Sequence, residues 1–361
     1  MGTNPGAESL RSTLTGVVAG LLDRAGAPGA AVVLIRDGAL VLAEGIGSCD
    51  LGRTRPLDPD ARFSVYSVAK IVLAVVALRL VEAGRLDLDS PIRAVLPELP
   101  LNRTVTVRQL LNHTSGLPDY TTMPEYHRDL RADPGAPWTT DEFLARTLSL
   151  GLLFPPGDGW AYSNVGFLLI GRAIERVTRR RLGAALRDLV FAPLGLRRTT
   201  VAETLDDTRD LTPGYSDGLD RDGGLHDIAR RYHPGWVAHG LVLSTAPEVA
   251  RVLDAVFDGR LLGLDLVSAM LDAVAVPETH ELIAKPGYGL GLMVDLGSPH
   301  GLVAGHGGEG PGYSTAAFHF PDAGGHRLTS VALTNRDAHD LGVRVAFALA
   351  TAHAEANRMS R

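Results

Sequence analysis

Residues 63–84 read FSVYSVAKIVLAVVALRLVEAG, and the reading of Ser67 and Lys70 within them decides what kind of chain this is. Apolar residues follow Lys70 almost without interruption, the text of a helix buried on most sides. Three residues separate Ser67 from Lys70, so on a helix they lie on one face a turn apart, with Ser67 near the positive N-terminal end. A serine is a weak nucleophile until a neighbour takes its proton, and a lysine partly buried among Val and Ala has its pKa lowered toward that role. The plain alternative is a helix start followed by a solvated lysine. Composition weighs on the choice: lysine occurs only at positions 70 and 285, so 33 of the 35 basic residues are arginine, which keeps its proton in proteins. With so few lysines a chance Ser-x-x-Lys is expected only about 0.1 times in such a chain.

The 361 residues carry 35 basic and 41 acidic side chains, a formal charge of −6, and are 45% hydrophobic. That is enough apolar material for a large core, and the length suggests two domains. A pI near 6.1 with no basic stripe argues against nucleic acid as a partner. Cys49 has no cysteine to pair with, so nothing depends on an oxidising compartment, and it reads as a buried structural thiol. Met1–Ser9 lacks the basic and apolar regions of a secretory signal, and the apolar run 71–78 is too short to span a bilayer. The expectation is a soluble cytoplasmic protein without a membrane span.

Leu and Val recur at helical spacing over residues 10–25, and two β-rich runs, 31–35 and 40–43, flank Asp37-Gly38, a dipeptide suited to a tight hairpin turn. From about residue 63 to 284 helical patterns alternate with Pro/Gly-rich loops. Strand signals return at 290–295, 313–320 and 328–333, and a last amphipathic helix runs over about 340–356. The predicted fold class is therefore α/β (α+β). An antiparallel sheet of about five strands, flanked by the N- and C-terminal helices, is built from residues 1–62 and 285–361, and a mainly helical domain, 63–284, is inserted between them. The default site is the cleft between the two.

Two further stretches carry chemistry. In Trp160-Ala161-Tyr162-Ser163-Asn164, a phenol and an amide two apart on an extended connection point the same way, although Ser163 or Asn164 also suits a helix N-cap. In Gly305-His306-Gly307-Gly308-Glu309-Gly310-Pro311-Gly312-Tyr313, the glycines suggest close approach of another backbone or a ligand, with His306 able to move a proton or bind a substrate oxygen. A loose turn with an incidental histidine is the plain alternative. Rival motifs fail. Gly214-Tyr215-Ser216-Asp217-Gly218 fits G-x-S-x-G but has neither a buried strand before it nor a helix after it, so it reads as a turn. No His-Glu-x-x-His occurs, and neither lysine follows a glycine as a phosphate-binding loop requires.

Taken in order, Ser67-x-x-Lys70, Tyr162-x-Asn164 and His306-x-Gly308 resemble the three motifs of the serine β-lactamase and penicillin-binding-protein superfamily, in its class C-like branch of peptidases, esterases and acyltransferases. Supporting text includes Leu110 to Pro118 (LLNHTSGLP), Phe154-Pro155-Pro156-Gly157 and Phe191 to Leu196 (FAPLGL). The resemblance implies that Ser67 attacks an acyl carbonyl, with Lys70 and Tyr162 handling protons in an order it does not decide. Asn164 would hold Lys70 and a substrate amide, and His306 would stand where other members carry a lysine, with Gly307 and Gly308 beside it as supporting residues. The backbone N–H groups of Ser67 and Glu309 would bind the oxyanion. It implies neither metal nor cofactor, and a small-molecule or peptide acyl substrate. Relatives that trim a C-terminal carboxylate carry an arginine on the strand before the third motif, where this chain reads LGLMVD (290–295). The alternatives are transfer to an amine, as in thioesterases that cyclise peptides, and an inactive ligand sensor. Specificity is expected in the loops 120–138 and 217–236.

Overall fold

The computed structural model describes residues 5–220 and 222–359. The reading of Met1–Ser9 therefore rests in part on residues 1–4, outside the described residues. Helix α1 (Pro5–Ala25) leads into the hairpin β1 (Gly29–Arg36) and β2 (Ala39–Gly47). Asp37 and Gly38 both take positive φ, 51° and 81°, which matches the right-handed twist of the flanking strands.

Helices dominate from there to residue 271: α2 (Ala69–Glu82), α3 (Val107–Leu111), α4 (Pro124–Ala132), α5 (Thr140–Leu148), α6 (Asn164–Thr178), α7 (Leu182–Leu186), α8 (Ala246–Phe257) and α9 (Leu264–Leu271). Among them β3 (Phe63–Ser64), β4 (Thr200–Ala202) and β7 (Leu241–Ser244) form one small sheet, and β5 (Tyr215–Ser216) with β6 (His226–Asp227) another. The chain returns through β8 (Val274–Ala275), β9 (Pro286–Tyr288), β10 (Met293–Asp295), β11 (Val303–Gly310), β12 (Tyr313–Phe320) and β13 (Leu328–Thr334), and ends in α10 (Leu341–Met359). Among the described residues, no helix is long and apolar enough to cross a membrane.

The main sheet is antiparallel throughout, in the order β2-β1-β13-β12-β11-β10-β9-β8, so both chain ends contribute to it. It has eight strands where about five were expected. β8 and β9 are two or three residues long, too short to show an alternation. β11 escapes notice for another reason: four of its eight residues are glycine, a residue depleted in strands. Within β1 the two-residue period divides the core: Ala31 and Val33 join the cluster shared with α2 and α8, whereas Ala30, Val32 and Leu34 pack with Leu14 of α1 and Leu349 of α10. Burial on both faces explains why β1 reads as a continuous apolar run. Cys49 is half-buried rather than buried, packed against the edge of the first cluster.

Candidate active site

Ser67 lies in a single 3-10 turn, Tyr66–Val68, which passes directly into α2, so the helix starts two residues later than a continuous reading of the motif suggests. Tyr66 is held at φ 44°, in the left-handed region that costs a bulky residue energy. Its hydroxyl donates to the Pro311 carbonyl at 2.5 Å, fixing the neighbour of Ser67 against the turn after β11. Lys70, in the first turn of α2, is fully buried, and its Nζ lies 2.8 Å from Ser67 Oγ.

Tyr162 and Asn164 arrive from the opposite side. Ser163 is extended and caps α6 by accepting the Gly166 N–H at 3.3 Å, which leaves Asn164 as the first helical residue. The cap expected of this stretch is thus Ser163, which leaves the side chains of Tyr162 and Asn164 free for other contacts. The Tyr162 hydroxyl donates to Ser67 Oγ at 2.9 Å, and Asn164 Oδ1 accepts from Lys70 Nζ at 2.7 Å. The ammonium nitrogen also sits 4.9 Å from the centre of the Tyr162 ring and 5.4 Å from that of Phe167.

On the third side runs β11. A Cβ on Gly308 would come within 2.4 Å of the Val65 carbonyl, 2.5 Å of Thr315 Oγ1 and 3.1 Å of the Ser67 nitrogen, and one on Gly310 would strike the Tyr66 ring. The glycines let this strand approach the backbone of Val65–Ser67. Gly307 faces away, toward Val343. Glu309 continues the strand beside the cavity, and its carboxylate turns to the Asp340 N–H and to His339. His306 is buried with both ring nitrogens engaged. Nδ1 faces the Gly307 carbonyl, which can only accept, so Nδ1 carries the proton and Nε2 accepts from the Tyr288 hydroxyl at 2.8 Å. Burial and the Lys70 charge push its pKa down to about 3, so it brings no positive charge to the strand.

Burial also pushes the Lys70 amine down to about 7, opposed by the carboxylate of Asp119. The same desolvation raises the Tyr162 phenol above its ordinary value, so the phenol stays protonated. A neutral amine and a neutral phenol at one hydroxyl can respectively take its proton and supply one.

Four residues here were not singled out from the sequence. Asp119 follows Pro118 immediately, and its Oδ2 accepts from Asn164 Nδ2 at 2.9 Å, so the chain Asp119–Asn164–Lys70–Ser67 is continuous. Its neighbours Leu117-Pro118 were the available signal. His113, buried at φ 62°, accepts the Ser163 N–H at 3.2 Å and packs tilted against the Tyr162 ring, centroids 4.4 Å apart, holding the tyrosine loop from behind. His239 and Asp337 line the adjoining cavity of about 370 Å³, which Ser67 and Asn164 share. Ser216, rejected as a nucleophile, is also on its wall, buried in the short strand β5 with its hydroxyl accepting the Gly218 N–H. The two loops expected to set specificity both reach the cavity, through Tyr120, Tyr126 and Leu130 on one side and Leu219, Tyr232 and Trp236 on the other. Arg221, within the second loop, lies outside the described residues.

Asp119→Asn tests the chain of contacts. Removing the carboxylate withdraws the charge that favours protonated Lys70, so the acid limb of the kcat/KM profile moves to lower pH. A looser Asn164 lowers kcat by about 10- to 100-fold. A pH limb that stays in place counts against Asp119 acting through Lys70.

The chain is similar to known proteins over most of its length. The chain is 27% identical over 324 residues to penicillin-binding protein 4* of Bacillus subtilis (strain 168), covering 85% of this chain and 68% of that one. It is 30% identical over 320 residues to a D-aminopeptidase of Brucella anthropi, covering 85% of this chain and 56% of the relative, so it spans only part of the length of these curated proteins. Among solved structures, a D-stereospecific amidohydrolase from Streptomyces sp. superposes with a TM-score of 0.77 at 31% identity, covering 93% of this chain and 98% of the other. The family model described as Beta-lactamase matches residues 14–354, nearly the full length, and the chain belongs to that family.

Proposed function

We propose that this protein is a serine hydrolase that forms an acyl-enzyme on Ser67 and cleaves an ester or amide, with a D-configured acyl part a favoured substrate. The observation that carries the reading is the fully buried Lys70 Nζ, 2.8 Å from Ser67 Oγ and lowered to about 7. Near neutral pH a large share of the amine is unprotonated and able to accept the serine proton as Oγ attacks the carbonyl carbon. The Ser67 and Glu309 N–H groups receive the oxyanion. Tyr162, protonated and 2.9 Å from Oγ, passes a proton to the departing alcohol or amine. Lys70 hands the serine proton on to the Tyr162 phenolate, so the amine is neutral again when water attacks the acyl-enzyme and gives it a proton, which returns to Ser67 Oγ as the acid departs. Both proton transfer and oxyanion binding come from the chain itself, so the reading calls for neither metal nor cofactor.

Similarity to a D-aminopeptidase and a D-stereospecific amidohydrolase supports the stereochemical part. The half-buried free thiol of Cys49 is compatible with the reducing cytoplasm, where we place the activity on a small acyl substrate. Intact-mass and peptide mass spectrometry after a fluorophosphonate probe test the assignment, together with a panel of p-nitrophenyl esters and D- and L-amino-acid amides. The expected result is a single adduct on Ser67 and turnover of at least one ester. An adduct on Ser216 sinks the assignment.

A further inference from the structure

The cavity beside Ser67 has an uneven polarity. Most of its polar groups are already engaged: Asn164 with Lys70 and Asp119, the Tyr66 hydroxyl with the Pro311 carbonyl, and the Glu309 carboxylate with the Asp340 N–H and His339. Two stand apart. Asp337, just past β13 and half-buried, accepts the Gly312 N–H at 3.3 Å and has the Ser216 hydroxyl beside it, but among the described residues no cationic side chain pairs with it. Its neighbour Arg336 turns away, to the carbonyls of Ala25 and Gly26 and to Asp217. His239, 3% exposed, has neither ring nitrogen in a hydrogen bond; the Tyr66 carbonyl lies nearby without reaching bonding geometry. Burial holds this imidazole neutral, so it offers one lone pair and one N–H.

Among the described residues, the charge on this wall left without a counter-ion is therefore that of the Asp337 carboxylate. The rings of Tyr66 and Tyr232, 6.4 Å apart, and of Tyr126 and Trp236, 5.5 Å apart, add π-faces that attract cations. Among the described residues that line the cavity there is no Arg or Lys to answer a carboxylate. A buried carboxylate without a counter-ion costs free energy that an arriving cation recovers. Burial and Asp217 accordingly hold the Asp337 carboxyl above its ordinary pKa. A pocket walled by loops and shared with the nucleophile suits the part of the substrate that stays bonded to Ser67 through both steps, since the leaving group must be free to depart.

We propose that this cavity receives an acyl group bearing a protonated amine, and that Asp337 is the specificity-determining residue that binds the ammonium. The proposal rests on the serine-hydrolase reading and deepens it. Its test compares p-nitroanilides of D- and L-phenylalanine with the amine free and with the amine acetylated, in the wild type and in Asp337→Asn. The free-amine compound of the preferred enantiomer is expected to have a kcat/KM at least about 10-fold above its acetylated form, and the ratio to fall to about 1–2 in Asp337→Asn. A general folding defect lowers both rates and leaves the ratio, so the ratio isolates the contact. A measurement without a variant accompanies it: 2-phenylethylamine is expected to inhibit p-nitrophenyl butyrate hydrolysis by the wild type about 10-fold more strongly than 2-phenylethanol. Equal kcat/KM for free and acetylated substrates, an unchanged ratio in Asp337→Asn, or equal inhibition by amine and alcohol overturns the proposal alone. If the wild type cleaves no substrate and Ser67 takes up no fluorophosphonate, the underlying reading falls and the proposal with it.

Discussion

Ser67→Ala is expected to lower kcat/KM by at least about 10³-fold on every ester or amide the wild type cleaves, with the thermal midpoint nearly unchanged. The size follows from convergence: Lys70 Nζ and the Tyr162 hydroxyl both meet at Ser67 Oγ, at 2.8 and 2.9 Å, so deleting that oxygen removes the atom on which both proton-handling groups act. Stability should hold because the Ser67 side chain caps no helix, and the 3-10 turn it occupies begins without a side-chain hydrogen bond. Lys70 keeps its contact to Asn164. Activity is checked by steady-state kinetics beside the fluorophosphonate adduct, which the variant must lose. Retained turnover would mean that another residue attacks the carbonyl, and the cavity offers Ser216 for comparison: buried, bonded to the Gly218 N–H, and without a neighbouring amine.

Much of this arrangement was legible because it is local. The pairing of Ser67 with Lys70 needs only helical spacing, and the hairpin at Asp37-Gly38 only the φ preferences of two residues. The long strands β12 and β13 announce themselves through apolar, β-branched and aromatic content. What escaped depends on contacts distant in sequence. β11 is a strand although half of it is glycine, because the backbone of Val65–Ser67 must lie against it; that demand comes from a segment some 240 residues away and leaves no local trace. Asp119 matters only because Asn164, 45 residues on, turns its amide toward it. His306 looks in the sequence like an available proton carrier, yet Tyr288 and the Gly307 carbonyl occupy both its nitrogens. Asp337 could not be singled out among 41 acidic residues until its lack of a counter-ion was visible.

The pH dependence assigned to Lys70 separates a working base from a merely buried cation. Because the reactive form is the neutral amine, wild-type kcat/KM is expected to rise with pH along a limb centred near 7. Lys70→Met keeps the length and apolar burial of the side chain but has no lone-pair nitrogen, so kcat should fall by about 10²- to 10⁴-fold and the limb should vanish. Stability carries an independent signature with a definite sign. The native pKa of about 7 lies below the ordinary 10.5, so between those values the unfolded chain binds a proton that the folded chain has released. The contribution of this group to stability therefore rises with pH across that window. Below about 7 both states are protonated, and the folded protein bears the full cost of a buried charge, eased by Asp119 and the Tyr162 and Phe167 rings. Urea unfolding followed from pH 7 to 10 should thus show a lysine-dependent upward component in the wild type that is missing in Lys70→Met. If both proteins show the same slope while only the wild type is active, Lys70 is not held near 7 by its burial, and the proton from Ser67 must go elsewhere.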